Sequence, residues 1–283
     1  MTDTDGKPDA LVCCAVSVLR AAPAQGDASL RPLLSRRIAA VLALLFGWLP
    51  GFARAGQEAT YTVVDVDLAH DRLALFLDDE ARQPFLSLRR LDAWLQRRGQ
   101  RLRWGMNAGM FHPGFAPVGL FVADGKERSP LDLGDGAGNF YLKPNGVFLV
   151  GDSRAQIVES SRYAAVAGRV RLATQSGPLL VQQGVLHPRL DPASRSRHVR
   201  NGVGICAGRV RFVISEQPVT LHAFASYFRD VLQCSDALYL DGSVSSFYSQ
   251  SPRRDTARAR LGPLIGVVDA VDAAVAPPES GVR

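Results

Sequence analysis

Residues 237–248, Ala-Leu-Tyr-Leu-Asp-Gly-Ser-Val-Ser-Ser-Phe-Tyr, decide how the chain is read. Ala237 to Leu240 is a short apolar run with β-formers, the pattern of a buried strand. It stops abruptly at Asp241-Gly242-Ser243. A carboxylate, a glycine and a hydroxyl at the end of a buried strand make a reactive corner. Gly242 permits a turn or a close backbone approach that a side chain would block. Ser243, Ser245 and Ser246 add hydroxyls suited to a polyol or a phosphate. The same residues also spell ordinary turn chemistry, because Asp-Gly commonly ends a strand. The recurrence of such corners upstream favours the reactive reading.

Moving back along the chain, Arg200-Asn201-Gly202-Val203-Gly204 opens a strand that runs through Ile205, and residues 209–215 return across an Ala207-Gly208 turn. Thr220 caps a helix with the apolar stripe Leu221, Phe224, Ala225, Phe228 and Leu232, and Val219 with Phe224 has hydrophobic-staple spacing. Residues 190–200 are polar and Arg-rich, a long loop that is either a mobile lid or a plain insertion. Leu172-Ala173-Thr174-Gln175-Ser176-Gly177-Pro178 is another corner, in which Gln175 and Ser176 bring hydrogen-bonding groups to a bend. Residues 179–181 and 185–186 then form a hairpin.

Asn107-Ala108-Gly109-Met110-Phe111-His112-Pro113 is the first corner. Asn107 is either a bracing amide or a substrate ligand, and His112 either a general base or an exposed turn residue. Residues 139–142 and 147–150 flank Lys143-Pro144-Asn145-Gly146 and predict a hairpin on the Asn-Gly signal. Lys143 beside it is a phosphate contact or an edge charge. Residues 118–122 predict a strand ending in an Asp124-Gly125 turn. Nearer the start, residues 61–68 and 73–77 predict an opening hairpin. Ser87 is set to cap a helix with the stripe Leu88, Leu91, Trp94 and Leu95, stopped at Gly99. Hairpins with two good helices define an α+β class: a single domain with an antiparallel or mixed sheet and a few packed helices.

Composition agrees with one folded domain. Of 283 residues, 47% are hydrophobic and 21% charged, enough for a sizeable core. Arg36-Arg37, an apolar run from Ile38 to Leu49, and Ala53-Arg54-Ala55 follow the basic–apolar–small order of a secretory signal peptide. The run is about a dozen residues, short for a spanning helix. The expected plan is a leader extension at 1–35, reflecting a start placed too early, a signal peptide at 36–55 cleaved after Ala55, a folded domain at 56–272 and a loose tail at 273–283. A periplasmic or secreted protein is expected, touching a membrane only through an uncleaved signal segment. Cys206 and Cys234 lie beyond the leader and either pair, as an oxidising compartment permits, or are buried as small apolar residues. The formal charge is +6, of which +4 falls after Ala55. That suits an anionic small substrate. No basic run is interleaved with aromatics, so no nucleic-acid partner is expected. Walker, G-x-G-x-x-G and His-Glu-x-x-His patterns are missing, so no cofactor is expected.

Taken in order, Asn107-Ala108-Gly109-Met110-Phe111, Ala116-Pro117-Val118-Gly119-Leu120, Leu142-Lys143-Pro144-Asn145-Gly146-Val147-Phe148, Thr174-Gln175-Ser176-Gly177-Pro178, Arg200-Asn201-Gly202-Val203-Gly204 and Leu238-Tyr239-Leu240-Asp241-Gly242-Ser243 resemble the phosphodiester glycosidase domain, whose bacterial members are described as exopolysaccharide-biosynthesis-related. The resemblance spans residues 61–268. Fuller forms of these motifs read Asn-Gly-Gly-Phe-Phe and Asp-Gly-Gly, so this chain departs at Ala108, Met110 and Ser243.

The resemblance implies an exported hydrolase that cleaves a glycosyl phosphodiester, with a sugar phosphodiester or polysaccharide as its partner. Phosphate is a good leaving group, so the chemistry needs a carboxylate at the anomeric centre more than a strong acid. Asp241 is the expected carboxylate and His112 a proton carrier. Arg200, then Lys143, would steady the phosphate. Asn107, Gly109, Gln175, Ser176, Asn201, Gly242 and Ser243 complete the expected substrate site, and Glu216 is the nearest second carboxylate. Two other classes share these corners. One is a non-catalytic binder of envelope polysaccharide. The other is a metal-assisted phosphodiesterase with Asp241 and either Asp124 or His112 as ligands to a divalent cation.

Overall fold

The computed structural model describes residues 59–271 apart from 153, 167 and 258. The leader extension, the signal segment with its cleavage point, and the tail lie outside the described residues. The first half runs β1 (Tyr61–Val66), β2 (Leu73–Phe76), α1 (Leu88–Gln96), β3 (Gln100–Asn107), β4 (Phe121–Ala123), β5 (Lys126–Ser129), β6 (Gly146–Val150) and β7 (Ala155–Glu159). The second runs β8 (Leu172–Ser176), β9 (Leu179–Gln182), β10 (Val185–Leu186), β11 (Asn201–Cys206), β12 (Arg209–Ser215), α2 (Leu221–Ser226), β13 (Cys234–Asp241), β14 (Phe247–Gln250), β15 (Arg253–Asp255) and β16 (Leu264–Ala270).

These strands make three sheets, ordered β1-β12-β11-β13-β9-β10, β15-β14-β3-β16-β2 and β5-β4-β8-β6-β7. Every strand pair among the described residues is antiparallel. The α+β expectation therefore holds in a strand-rich form.

The sheets meet in one apolar cluster that takes Trp104 and Ile265 from one sheet, Phe121 and Phe148 from another, and Phe212, Leu238 and Leu240 from the third. Phe212 is the junction: its ring centroid lies 5.2 Å from Trp104 and 5.6 Å from Phe148. Tilted and edge-on aromatic contacts of this kind add about 0.5–1.5 kcal/mol each beyond area burial. The other face of β13 presents Ala237 and Tyr239 to α2, among Phe224, Phe228, Leu180 and Val181. Burial on both faces is why residues 237–240 read as continuously apolar instead of alternating.

Local signals are realised where expected. Ser87 caps α1, its hydroxyl accepting from the Arg90 N–H at 3.2 Å. Replacing Ser87 by Ala is expected to cost about 1 kcal/mol, measurable as a lowered urea midpoint with an unchanged slope. Thr220 caps α2 through the Ala223 N–H at 3.1 Å. After Ser226, however, the expected helix continues as a π turn at Tyr227–Val231. Cys206 and Cys234 form a disulfide across β11 and β13.

Two expected hairpins do not form. Residues 61–66 and 73–76 are consecutive but sit in different sheets, β1 on β12 and β2 on β16. The connection is a broad turn held by carboxylates: the Asp67 N–H donates to Asp71 Oδ2 at 2.9 Å and the Ala69 N–H to Asp67 Oδ1 at 3.0 Å. This redirects the chain instead of folding it back. Residues 139–141 are a 3₁₀ turn, and β6 pairs with β7 and β8. There the Asn145 side chain is taken by the Phe140 carbonyl at 2.9 Å, and Pro144 has no N–H for a ladder.

Candidate active site

The polar corners meet where the three sheets end together. Asn107 closes β3, Ser176 closes β8, Asn201 opens β11 directly after Arg200, and Asp241 closes β13. Asn201 pairs opposite Asp241 in the ladder, and Gly202 opposite Tyr239. Leu240 is thereby passed over in a bulge, a device that re-aims side chains near functional sites. The Leu240 carbonyl accepts from the Ser176 hydroxyl at 2.9 Å. The disulfide pins the opposite end of this β11–β13 ladder, so it holds in register the strand that begins directly after Arg200 and the strand that ends in Asp241.

Behind the corner is an interlocked set of amides and hydroxyls. Asn201 Nδ2 donates to the Asn107 carbonyl at 2.8 Å, and Asn107 Nδ2 to Asn201 Oδ1 at 3.3 Å. The Ser246 N–H donates to Asn107 Oδ1 at 2.9 Å. The Ser245 hydroxyl lies 3.0 Å from the Asp241 carbonyl and 3.2 Å from Asn201 Oδ1. These groups are buried, so leaving any of them unpaired would cost about 1–3 kcal/mol. That penalty fixes the relative positions of β3, β11 and β13.

In front is a cleft of about 240 Å³ lined by Asn139, Ser194, Ser196, His198, Arg200, Leu221, Tyr239, Gly242 and Ser243. Arg200 is only 2% exposed. Its Nε donates to the Val219 carbonyl at 2.8 Å, Nη1 to the Tyr239 hydroxyl at 2.8 Å, and Nη2 to the Ser196 carbonyl at 3.1 Å. All three partners are neutral, and no salt bridge to a described carboxylate involves Arg200. A buried cation without a counter-ion is costly, and a cleft beside it offers an anion the place of that counter-ion.

Asp241 is 7% exposed. Its Oδ1 accepts from the Gly242 N–H at 2.5 Å, the Ser243 N–H at 2.6 Å and the Val244 N–H at 3.4 Å. Burial pushes its carboxyl above the ordinary aspartate range, against the opposing pull of these N–H groups. Oδ2 accepts no hydrogen bond from the described residues, so it is the oxygen left for chemistry. Gly242, directly after Asp241, lets the chain pass close to the cation. A Cβ there would overlap the Tyr239 hydroxyl and stand 3.1 Å from Arg200 Nη1. Gly242→Ala is therefore expected to destabilise the fold by about 1–3 kcal/mol, read by chemical denaturation.

Several expected substrate ligands turn out to brace the corner. Gln175 spends its whole amide: Oε1 accepts from the Leu120 N–H at 3.0 Å and the Asp132 N–H at 2.9 Å, and Nε2 donates to the Asp132 carbonyl at 2.6 Å and to Ser160 Oγ at 3.0 Å. No donor or acceptor is left for a sugar. Asn107, Asn201 and Ser176 are likewise buried and engaged within the protein. Gly109 provides close approach, since a Cβ there would overlap the Gln175 carbonyl.

Lys143 points to the loop that precedes it. Its Nζ donates to Asp135 Oδ1 at 2.7 Å and to the Leu133 carbonyl at 2.9 Å, and it does not line the Arg200 cleft. His112 is an exposed turn residue whose carbonyl accepts from the Phe115 N–H at 2.8 Å, and it is outside the cleft lining as well. Glu216 is committed to Arg254 and Thr62. Burial raises its carboxyl, but those bonds outweigh burial and hold it low. Asp124 sits in the β4–β5 turn with φ 49°. Among the described residues no three His, Cys, Asp or Glu side chains gather to hold a metal ion.

Tyr239 is the site residue that sequence reasoning passed over. It stands two positions before Asp241 on the same strand, β13. That was the available signal.

The fold and the corner together define a class. Residues 100–268 match the family model described as phosphodiester glycosidase, and the chain belongs to that family. It is 32% identical over 208 residues to the uncharacterized protein YigE of Escherichia coli (strain K12), covering 71% of this chain and 81% of that one. Its fold is also that of the catalytic domain of zebrafish N-acetylglucosamine-1-phosphodiester alpha-N-acetylglucosaminidase. That match has a TM-score of 0.51 at 12% identity, over 74% of this chain and 82% of that chain.

Proposed function

We propose that this protein hydrolyses a glycosyl phosphodiester, breaking the bond between the anomeric carbon and the phosphate oxygen. The observation that carries the reading is the buried Arg200 guanidinium, with no carboxylate partner among the described residues, in a cleft lined by Gly242 and Ser243, the two residues that directly follow Asp241. Arg200 neutralises the phosphodiester and stabilises the departing phosphomonoester, as planar guanidinium groups do. Asp241 serves the anomeric carbon through Oδ2. In the hydrolysis, a water oxygen bonds to that carbon and its proton passes to Asp241. The electron pair of the carbon–oxygen bond leaves with the phosphate. The products are a free sugar and a phosphomonoester.

Membership of the phosphodiester glycosidase family supports this bond class. The disulfide supports an oxidising compartment, in keeping with export by the segment at 36–55 and with a substrate drawn from envelope or extracellular polysaccharide. The test is incubation of the purified protein with a panel of sugar 1-(methyl phosphate) diesters, with and without chelator. Free sugar and methyl phosphate, released equally in both conditions, are the expected products. A folded protein that binds these diesters and turns none over would overturn the reading, and turnover abolished by the chelator would instead favour a metal-assisted phosphodiesterase.

A further inference from the structure

Tyr239 is fully buried in the core, yet it lines the Arg200 cleft. Its oxygen accepts from Arg200 Nη1 at 2.8 Å. Its own hydrogen finds no acceptor among the described residues. Burial pushes this hydroxyl far above its ordinary range, against the opposing influence of Arg200, so it stays protonated at any working pH. A guanidinium carries five N–H groups, and Arg200 spends three of them, on Val219, Tyr239 and Ser196. Two N–H donors and one O–H donor therefore remain at the base of the cleft, around one positive charge.

Three donors around one charge match a tetrahedral oxyanion better than a carboxylate, which has only two oxygens to offer. Donation from Arg200 polarises the Tyr239 hydroxyl and makes it a stronger donor in its turn. We propose that Tyr239 is a substrate-contacting residue, its hydroxyl donating to a phosphate oxygen held by Arg200. This rests on the reading of the cleft as the phosphate half of a glycosyl phosphodiester site and adds to it the second hand of the clamp. The clamp involves no proton transfer and no covalent step. It also gives a role to the tight approach of Gly242: a Cβ there would overlap the Tyr239 hydroxyl and stand in the way of its donation.

The test measures binding apart from turnover. Inorganic phosphate and methyl phosphate are titrated calorimetrically into the wild type and Tyr239→Phe, which keeps the ring and its packing. Losing one charge-assisted hydrogen bond is expected to weaken both ligands about tenfold or more. In parallel, the wild type is labelled with ¹³C at the tyrosine Cζ atoms. Of its six tyrosines only Tyr239 lines the cleft, so one signal is expected to move, saturating with the calorimetric affinity. That measurement stands even if the Phe variant does not fold.

Affinity within twofold of wild type in a folded Phe variant would overturn the proposal. A wild type that binds neither anion would do the same. Weakened binding with no moving tyrosine signal would also overturn it, showing that Tyr239 acts only by holding Arg200. Should the clamp bind as expected while no diester is hydrolysed, the hydrolase reading fails and the clamp stands.

Discussion

Asp241→Asn lowers kcat/KM for a sugar phosphodiester by about a thousandfold or more, the scale seen when a group acting at the reacting atom is removed, and leaves the protein at least as stable at neutral pH. The amide is isosteric, and its oxygen can still accept the N–H groups of Gly242, Ser243 and Val244. What disappears is a buried negative charge. Burial raises the folded-state pKa of Asp241, so the native state binds its proton more tightly than the unfolded chain does. The stabilising effect of that proton is complete below the ordinary aspartate pKa and is lost as pH rises through the raised value. The Asn variant should therefore match the wild type in acid and equal or exceed it at neutral pH. Denaturant midpoints across pH test this. The same shift places the acid limb of the wild-type kcat/KM profile above the ordinary aspartate range, because the ionised form does the work. A limb at or below that range, or a variant that keeps its activity, would remove Asp241 from the chemistry.

Arg200→Lys is expected to lower kcat/KM by about a hundredfold, and Arg200→Met by about a thousandfold, judged from phosphate-clamping and oxyanion-stabilising groups in general. Lysine supplies the charge but not the fork. One ammonium cannot reach the Val219 carbonyl, the Tyr239 hydroxyl and the Ser196 carbonyl at 2.8, 2.8 and 3.1 Å and still face a ligand with two donors. Both variants also free Ser196 from its anchor, and with it the loop that borders the cleft. Steady-state kinetics with one diester separates the effects: a loss confined to KM means a ground-state clamp, and a loss in kcat means that Arg200 stabilises the departing phosphate. Lysine at wild-type efficiency would contradict both roles.

How much of this was legible depends on whether the signal was local. The caps at Ser87 and Thr220, the hairpins β9–β10 and β11–β12, and the corner ending in Asp241-Gly242-Ser243 are written in residues close together in sequence, and the structure contains them. The partners of β1 and β6 are not, since alternation shows which face a strand buries but not which strand lies beside it. Gln175 shows the same limit. A glutamine at a polar corner resembles a ligand, and only the fold reveals that the backbone of Leu120 and Asp132, more than forty residues away, claims its amide. Tyr239 was hidden differently: β13 is covered on both faces, so its residues merge into one apolar run. Its distance of two positions from Asp241 is informative only once that strand is known.

The central claim is cleavage on the sugar side of the phosphate, with Arg200 at the phosphate and Asp241 at the anomeric carbon. Hydrolysis of a sugar 1-(methyl phosphate) in ¹⁸O-labelled water tests it most directly, with Asp241→Asn as the control for the site. The account predicts that the label enters the free sugar at its anomeric oxygen and that the released methyl phosphate carries none. Label in the phosphate would mean attack at phosphorus and would contradict the account.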